Sequence, residues 1–123
     1  MWVYHITEHV MTSQDGLKRF DGYSGAGYSF SEGRNNAGME DVVGRGPIPI
    51  GWYSIGEPHH SPTTGPYTMN LDPQPGTDTL GRSAFRIHGN NAENDASHGC
   101  IILPPDARRA IWESGDHTLQ VIA

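Results

Sequence analysis

The sequence predicts one mostly β domain over residues 1–123, rich in turns, with a single short helix near its C-terminal end. Three observations carry this. Apolar residues alternate in several short runs, the period of a strand. Sixteen glycines and nine prolines interrupt the chain at close intervals, yet stay below the roughly 25–30% that marks low complexity. Only Asp106–Ser114 spaces its apolar residues for a helix.

From the N-terminus, Trp2, Tyr4 and Ile6 fall on one face of a strand and Val3, His5 and Thr7 on the other. Gln14-Asp15-Gly16 signals a turn, with Leu17–Phe20 returning as a hairpin partner. Residues 21–46 read as a long Gly-, Ser- and Asn-rich loop with weak strands, a kind of segment that is usually functional or locally packed. Gly46-Pro47-Ile48-Pro49-Ile50-Gly51 fixes two φ angles and removes two backbone donors, so it is not a central ladder. Strands follow at Trp52–Ile55 and Tyr67–Leu71, separated by a polar loop over 56–66. Ala84–His88 alternates strictly, Phe85 and Ile87 one way, Arg86 and His88 the other. Gly99–Leu103 is a second apolar run. Pro104 and Pro105 open the helix, in which Ala107, Ala110 and Ile111 share a face, and Gly115 follows its end. His117–Ile122 closes as a strand. No repeat or domain boundary interrupts this order.

Composition excludes several roles. The net charge is −6, Lys18 is the only lysine, and the seven arginines form no basic stripe, so nucleic acid is not an expected partner. No apolar run reaches the 18 residues of a membrane span. The first residues lack the basic and apolar regions of a signal peptide. One cysteine forms no internal disulfide, which leaves Cys100 as an inert buried thiol, a metal ligand or a nucleophile.

The neighbours of Cys100 favour the nucleophile. His88 ends one expected strand, Cys100 begins the next, and eleven residues, Gly89–Gly99, connect them. Paired as antiparallel neighbours, the two strands would bring imidazole and thiol to one sheet end, at roughly 4.5–5.5 Å between Cα atoms. An imidazole beside a thiol is the activation a cysteine nucleophile needs, and an imidazolium there is expected to outweigh burial and favour the thiolate. In Ser97-His98-Gly99-Cys100, Gly99 permits a tight backbone whose N–H groups face an incoming carbonyl as an oxyanion hole, with Ser97 or His98 supplementing it or binding substrate. Arg86 shares the face of His88 and is placed to grip a carboxylate. His88, His98 and Cys100 are also a potential zinc set, but a structural site needs a fourth ligand. His59-His60 reads as solvated loop, Asn35 and Asn36 as turn residues, and Trp2, Trp52 and Trp112 as core or rim packing.

His88-Gly89 followed by Ser97-His98-Gly99-Cys100 resembles the signature of L,D-transpeptidase (YkuD-like) catalytic domains. Asn35-Asn36, the Gly46–Gly51 block with Tyr53, and Gly81–Gly89 are similar to a compact branch of that family, which includes effectors delivered by type VI secretion. The resemblance covers about residues 20–122. It implies a sandwich- or barrel-like β fold with no cofactor and no metal. It further implies that Cys100 attacks the carbonyl of the third residue of a peptidoglycan stem, expelling D-alanine and leaving a thioester. His88 would be the base, the Gly89 carbonyl its orienting group, and the N–H groups of Gly99 and Cys100 the oxyanion hole, with Ser97 and His98 beside them. Water then gives an L,D-carboxypeptidase, and an amine gives exchange or cross-linking. The family often carries Arg or Asn where this chain has Ile102, a contact to be supplied here by Arg82 or Arg86 as substrate-binding residues. The loop between His88 and Cys100 is also short for the family, which implies a more open site. A monomer is expected, with an inhibitory immunity protein as partner, made in the cytoplasm and secreted or released to act in the periplasm of a target bacterium. Two rivals stay open on sequence. One is a cysteine endopeptidase or amidase on another wall bond, and the other a catalytically silent wall-binding or lysis-regulating module.

Overall fold

Alternation at the N-terminus becomes β1 (Trp2–His5), whose Trp2 and Tyr4 are buried together with Ile6 just beyond it. The computed structural model describes residues 1–123 in full. The Gln14–Gly16 turn forms as expected and joins β2 (Val10–Thr12) to β3 (Arg19–Asp21), with Met11 opposite Phe20. Next come β4 (Tyr23–Ser24), β5 (Gly51–Ile55), β6 (His59–Ser61), β7 (Gly65–Pro73), β8 (Arg86–His88), β9 (Ile101–Ile102), α1 (Pro105–Glu113) and β10 (Thr118–Ile122). Their order is β3-β2-β1-β10-β5-β7-β8-β9-β4, with β6 on β7, and the sheet curls into a nearly closed barrel-like wall. The mostly β fold with one helix near the C-terminal end is as the sequence predicts. No helix is long and apolar enough to cross a membrane.

Two details depart from the sequence reading. The 56–66 segment carries a strand, β6, which pairs with an extended β7. Its exposed His59 and His60 hide the apolar alternation a strand normally shows, because only Ser61 turns inward. More consequentially, β8 and β9 are parallel rather than antiparallel, with Ile87 beside Ile101 and His88 beside Ile102. The eleven-residue connection is long enough to carry the chain back to the same sheet end before β9 starts.

The core lies inside the curl. Tyr4, Tyr53, Met69, Ile87, Ile101, Leu103, Ile111 and Leu119 are essentially without exposure. Full burial of each aliphatic or methionine side chain among them contributes about 1.5–3 kcal/mol. Helix α1 starts at Pro105, preorganised for the first turn, and lays Ala107 and Ile111 on the sheet.

The Pro-rich block shows how a buried segment without a ladder satisfies its backbone. Gly46–Pro49 is buried. Arg82 donates to the carbonyls of Gly46 (3.0 Å) and Pro47 (2.7 Å), Ile48 N–H donates to Ser24 Oγ (2.9 Å), and Tyr53 Oη donates to the Pro49 carbonyl (2.7 Å). Side chains here replace the missing strand partners, since buried backbone groups left unpaired cost about 1–3 kcal/mol each.

Candidate active site

Strands β8 and β9 bring Arg86, His88 and Cys100 to one sheet end. Ile87 and Ile101 point into the core, so Arg86 and His88 take the other face of β8. Extending the register by one residue places Cys100 beside Arg86, two residues from His88. That offset is roughly 7 Å along strands spaced about 4.8 Å apart. The Cys100 thiol therefore does not hydrogen bond to the His88 ring. It lies 3.8 Å from the Ala84 carbonyl and receives the backbone N–H of Arg86.

The His88 side chain is buried at 4% exposure. Nδ1 sits 2.9 Å from the Gly89 carbonyl, which only a protonated Nδ1 can satisfy, leaving Nε2 as the lone-pair nitrogen of a neutral ring. Burial lowers the imidazole pKa, the Gly89 carbonyl works against that, and the Arg108 and Arg86 guanidinium charges lower it further. Burial likewise pushes the Cys100 thiol up, opposed by the Arg86 N–H and by the charges of Arg86 and Arg82. Both shifts favour a neutral thiol and a neutral imidazole at rest. The thiolate held by an imidazolium, expected from sequence, is corrected: desolvation dominates at both groups, and the cations that favour thiolate are arginines.

Ser97 is wholly committed to the fold. Its hydroxyl donates to the Cys100 carbonyl (2.7 Å) and accepts from Gly25 N–H (2.9 Å) and Gly99 N–H (3.2 Å). This corrects two expectations, since neither the Ser97 hydroxyl nor the Gly99 N–H is turned outward toward a substrate. The Cys100 N–H has no protein acceptor and is the remaining backbone donor at the nucleophile. Gly99 is nonetheless required, because at φ +134° a Cβ there would stand 2.4 Å from Arg82 Nη2.

Arg82 is a clamp. Nη1 donates to the carbonyls of Glu40 (2.6 Å) and Pro47 (2.7 Å), and Nη2 to those of Gly46 (3.0 Å) and His98 (3.3 Å). All four terminal N–H groups are engaged and the residue is 7% exposed, so the substrate-binding role expected for Arg82 gives way to a structural one. Arg86 is half-buried, with Nη1 3.3 Å from Ser61 Oγ, and its charge reaches both His88 and Cys100. His98 is exposed, its Nδ1 3.3 Å from the Gly44 carbonyl.

Two cavities meet at His98. One, of about 360 Å³, is lined by Cys100, Gly99, Phe85, Ala84, Val43 and others, and the second, of about 350 Å³, by His88, Asn90, Asn91, Asp95, Thr63 and Thr64 among others. The loop connecting His88 to Cys100 is pinned by Tyr23 and Arg34. Tyr23 Oη donates to Asn90 (2.6 Å) and accepts Ala96 N–H (2.8 Å), while the Arg34 guanidinium stacks 3.5 Å over the Tyr23 ring and donates to the Asn94 carbonyl (2.8 Å). Asn35, read as a turn residue, does sit at φ 58° and pairs with Ser24 through both backbone and side chain. His88, His98 and Cys100 do not gather as a metal-ligand set.

Sequence reasoning missed Arg108. It lies on the buried face of α1 at 5% exposure and donates to the carbonyls of Leu103 (3.1 Å), Pro66 (2.7 Å) and Tyr67 (3.3 Å). The signal was present: Arg108 and Ile111 stand three apart beside Ala107, so the apolar stripe contains a charge.

The fold around this site is that of L,D-transpeptidase catalytic domains. Mycobacterium tuberculosis L,D-transpeptidase 1 superposes with a TM-score of 0.57 at 18% identity, covering 99% of this chain and 58% of that one. The L,D-transpeptidase of Xylanimonas cellulosilytica gives 0.58 at 16%, covering 98% and 59%, and that of Stackebrandtia nassauensis 0.57 at 16%, covering 99% and 54%. The chain thus spans a little over half the length of these proteins, and identities this low establish a shared fold. Residues 18–121 match the Tlde1 domain, and the chain belongs to that family. A comparison with curated proteins finds no match.

Proposed function

We propose that this chain modifies peptidoglycan as a cysteine L,D-carboxypeptidase and L,D-transpeptidase, acting on tetrapeptide stems through a thioester at Cys100. The observation that carries the reading is the convergence of His88, with Nδ1 held and Nε2 free, and Cys100, beside an unengaged N–H, at one end of an L,D-transpeptidase-type sheet.

Attack begins when the sulfur exchanges its contact with the Ala84 carbonyl for His88 Nε2. The thiol proton passes to Nε2 as the C–S bond forms, and the oxyanion takes the Cys100 N–H. Collapse breaks the C–N bond, and the imidazolium returns its proton to the departing D-alanine amine. Water or an amine then attacks the thioester, giving up its proton to His88, which passes it to the departing sulfur and restores the neutral thiol and imidazole. A neutral resting His88 suits this cycle, because a base protonated in advance accepts nothing. Arg86 remains the candidate for a substrate carboxylate, since its charge bears on both reacting groups.

Family membership and the resemblance to type VI effectors support a further reading. The protein acts on the wall of a target bacterium, in its periplasm, and an immunity protein restrains it. Mass spectrometry of disaccharide tetrapeptides with the protein, with and without D-methionine, tests the chemistry. Loss of one D-alanine and exchange for D-methionine are expected. Intact tetrapeptides alongside cut glycan or cut cross-links would transfer the assignment to an endopeptidase or amidase.

A further inference from the structure

Arg108 is a buried cation with no counter-charge. The ion pairs of the molecule join the Met1 amino group to Asp116 and Arg19 to Glu8, both away from it. Its partners are three carbonyl oxygens, two at the start of β7 and one just after β9. Burying a guanidinium carries a desolvation penalty, and an apolar residue would pack this helix face at lower cost.

The position of the guanidinium suggests what offsets that cost. Nη2 has no protein acceptor and lies against Gly89, where a Cβ would stand 2.9 Å from it. Gly89 supplies the carbonyl that holds His88 Nδ1. On the other side, the Leu103 carbonyl takes Arg108 Nε, while the Leu103 N–H donates to the His88 carbonyl at 3.1 Å. Arg108 therefore reaches both segments that hold His88: the Gly89 peptide just past β8 and Leu103 just past β9.

We propose that Arg108 is a positioning residue for His88, bracing the Gly89 peptide and the β9 end so that the imidazole keeps one tautomer and presents Nε2 to the site. The same charge opposes protonation of the ring. The charged groups bearing on His88 are Arg86 from its own strand and Arg108 from α1, both cations that keep the ring neutral. Across the cavity stand Asp95 and His98, and Cys100 lies two residues away on the neighbouring strand.

The inference rests on His88 as the base, but its test separates the two. Arg108→Met and Arg108→Lys are prepared in the full chain, and the His88 imidazole is titrated by NMR, assigned by its loss in His88→Gln. The titration needs no turnover, so an inactive wild type would count against the base while leaving this measurement standing. Arg108→Met is expected to raise the His88 midpoint above that of wild type, while burial still holds it below a free imidazole. Its kcat for D-alanine release should fall about tenfold to hundredfold, with KM little changed, as for a misplaced reacting group. Arg108→Lys keeps the charge but not the fork, so the midpoint should stay low while kcat falls. A folded Met variant whose His88 titrates as in wild type, with an unchanged acid limb of activity, overturns the proposal. If the Met variant does not fold, the Lys variant decides, and wild-type kcat in it also overturns the proposal.

Discussion

Replacing Arg82 with Met removes a guanidinium that closes four backbone carbonyls at 2.6–3.3 Å, tying Glu40, Gly46 and Pro47 to the His98 peptide beside the nucleophile. Methionine matches the stem of the side chain but supplies no donors. A hydrogen bond involving a charged group contributes about 1.5–3 kcal/mol, and desolvation of the arginine offsets much of the sum. The carbonyls of Gly46 and Pro47 lie in a buried segment with no ladder to fall back on, so the net loss is set at about 3–5 kcal/mol, as for breaking a buried network. For a domain of this length that corresponds to a fall in Tm of roughly 12–20 °C. Urea denaturation followed by tryptophan fluorescence measures it, with Arg82→Lys expected to recover less than half because one ammonium cannot span the carbonyls. Arg19→Met serves as the exposed control and should lie within about 0.5 kcal/mol of wild type. An Arg82→Met protein within about 1 kcal/mol of wild type would refute the clamp and reopen Arg82 as a substrate ligand.

The remaining expectations concern charge and backbone. Iodoacetamide labelling of Cys100 should show a midpoint above the ordinary thiol value of about 8.5, whereas a midpoint below 7 would mean a resting ion pair. His88→Ala should cut turnover by about 10²–10⁴ and leave that midpoint nearly unmoved, while Arg86→Met raises it; a large shift in His88→Ala alone contradicts the neutral pair. Because the folded His88 pKa is depressed, the unfolded chain binds the extra proton first, so stability should fall as pH drops through about 6.5, and His88→Gln should flatten that slope in urea melts at pH 7.5, 6.5 and 5.5. Gly46→Ala places a Cβ 1.8 Å from the Met39 carbonyl and should prevent stable folding, whereas Gly16→Ala, at φ +76° with open space, should cost only about 1–2 kcal/mol by thermal melting.

The sheet was readable because its strands alternate. Trp2, Tyr4, Phe85 and Ile87 announce their faces through a period of two, and Pro105 with Gly115 brackets α1. Strand direction was not readable. Nothing in the composition of Gly89–Gly99 says whether Ile101 runs with Ile87 or against it, yet that choice moves Cys100 two residues away from His88. The residues converging on the site were likewise legible as a motif, while their division of labour was not. Ser97 looks like a polar group beside a nucleophile and proves to be a buried acceptor and donor for Gly25, Gly99 and Cys100. Arg82 looks like a free cation and proves saturated by four carbonyls, three of them more than thirty residues away in sequence, a set only the folded backbone assembles.

The parallel pairing of β1 with β10 has a consequence for how the domain is made. Leu119 registers with Trp2 and Ile122 with His5, and β10 also pairs with β5, so the last strand joins the two halves of the sheet. During synthesis the hairpin of β2 and β3 and the β5–β7 segment have all their local partners early. The seam between them stays open until residue 122 has emerged. Closing a loop this long before any contact rewards it slows folding, which places the domain among chains governed by distant pairings rather than local ones. A nascent chain halted before β10 presents two unsealed strand edges, on β1 and β5, the state in which such sheets aggregate.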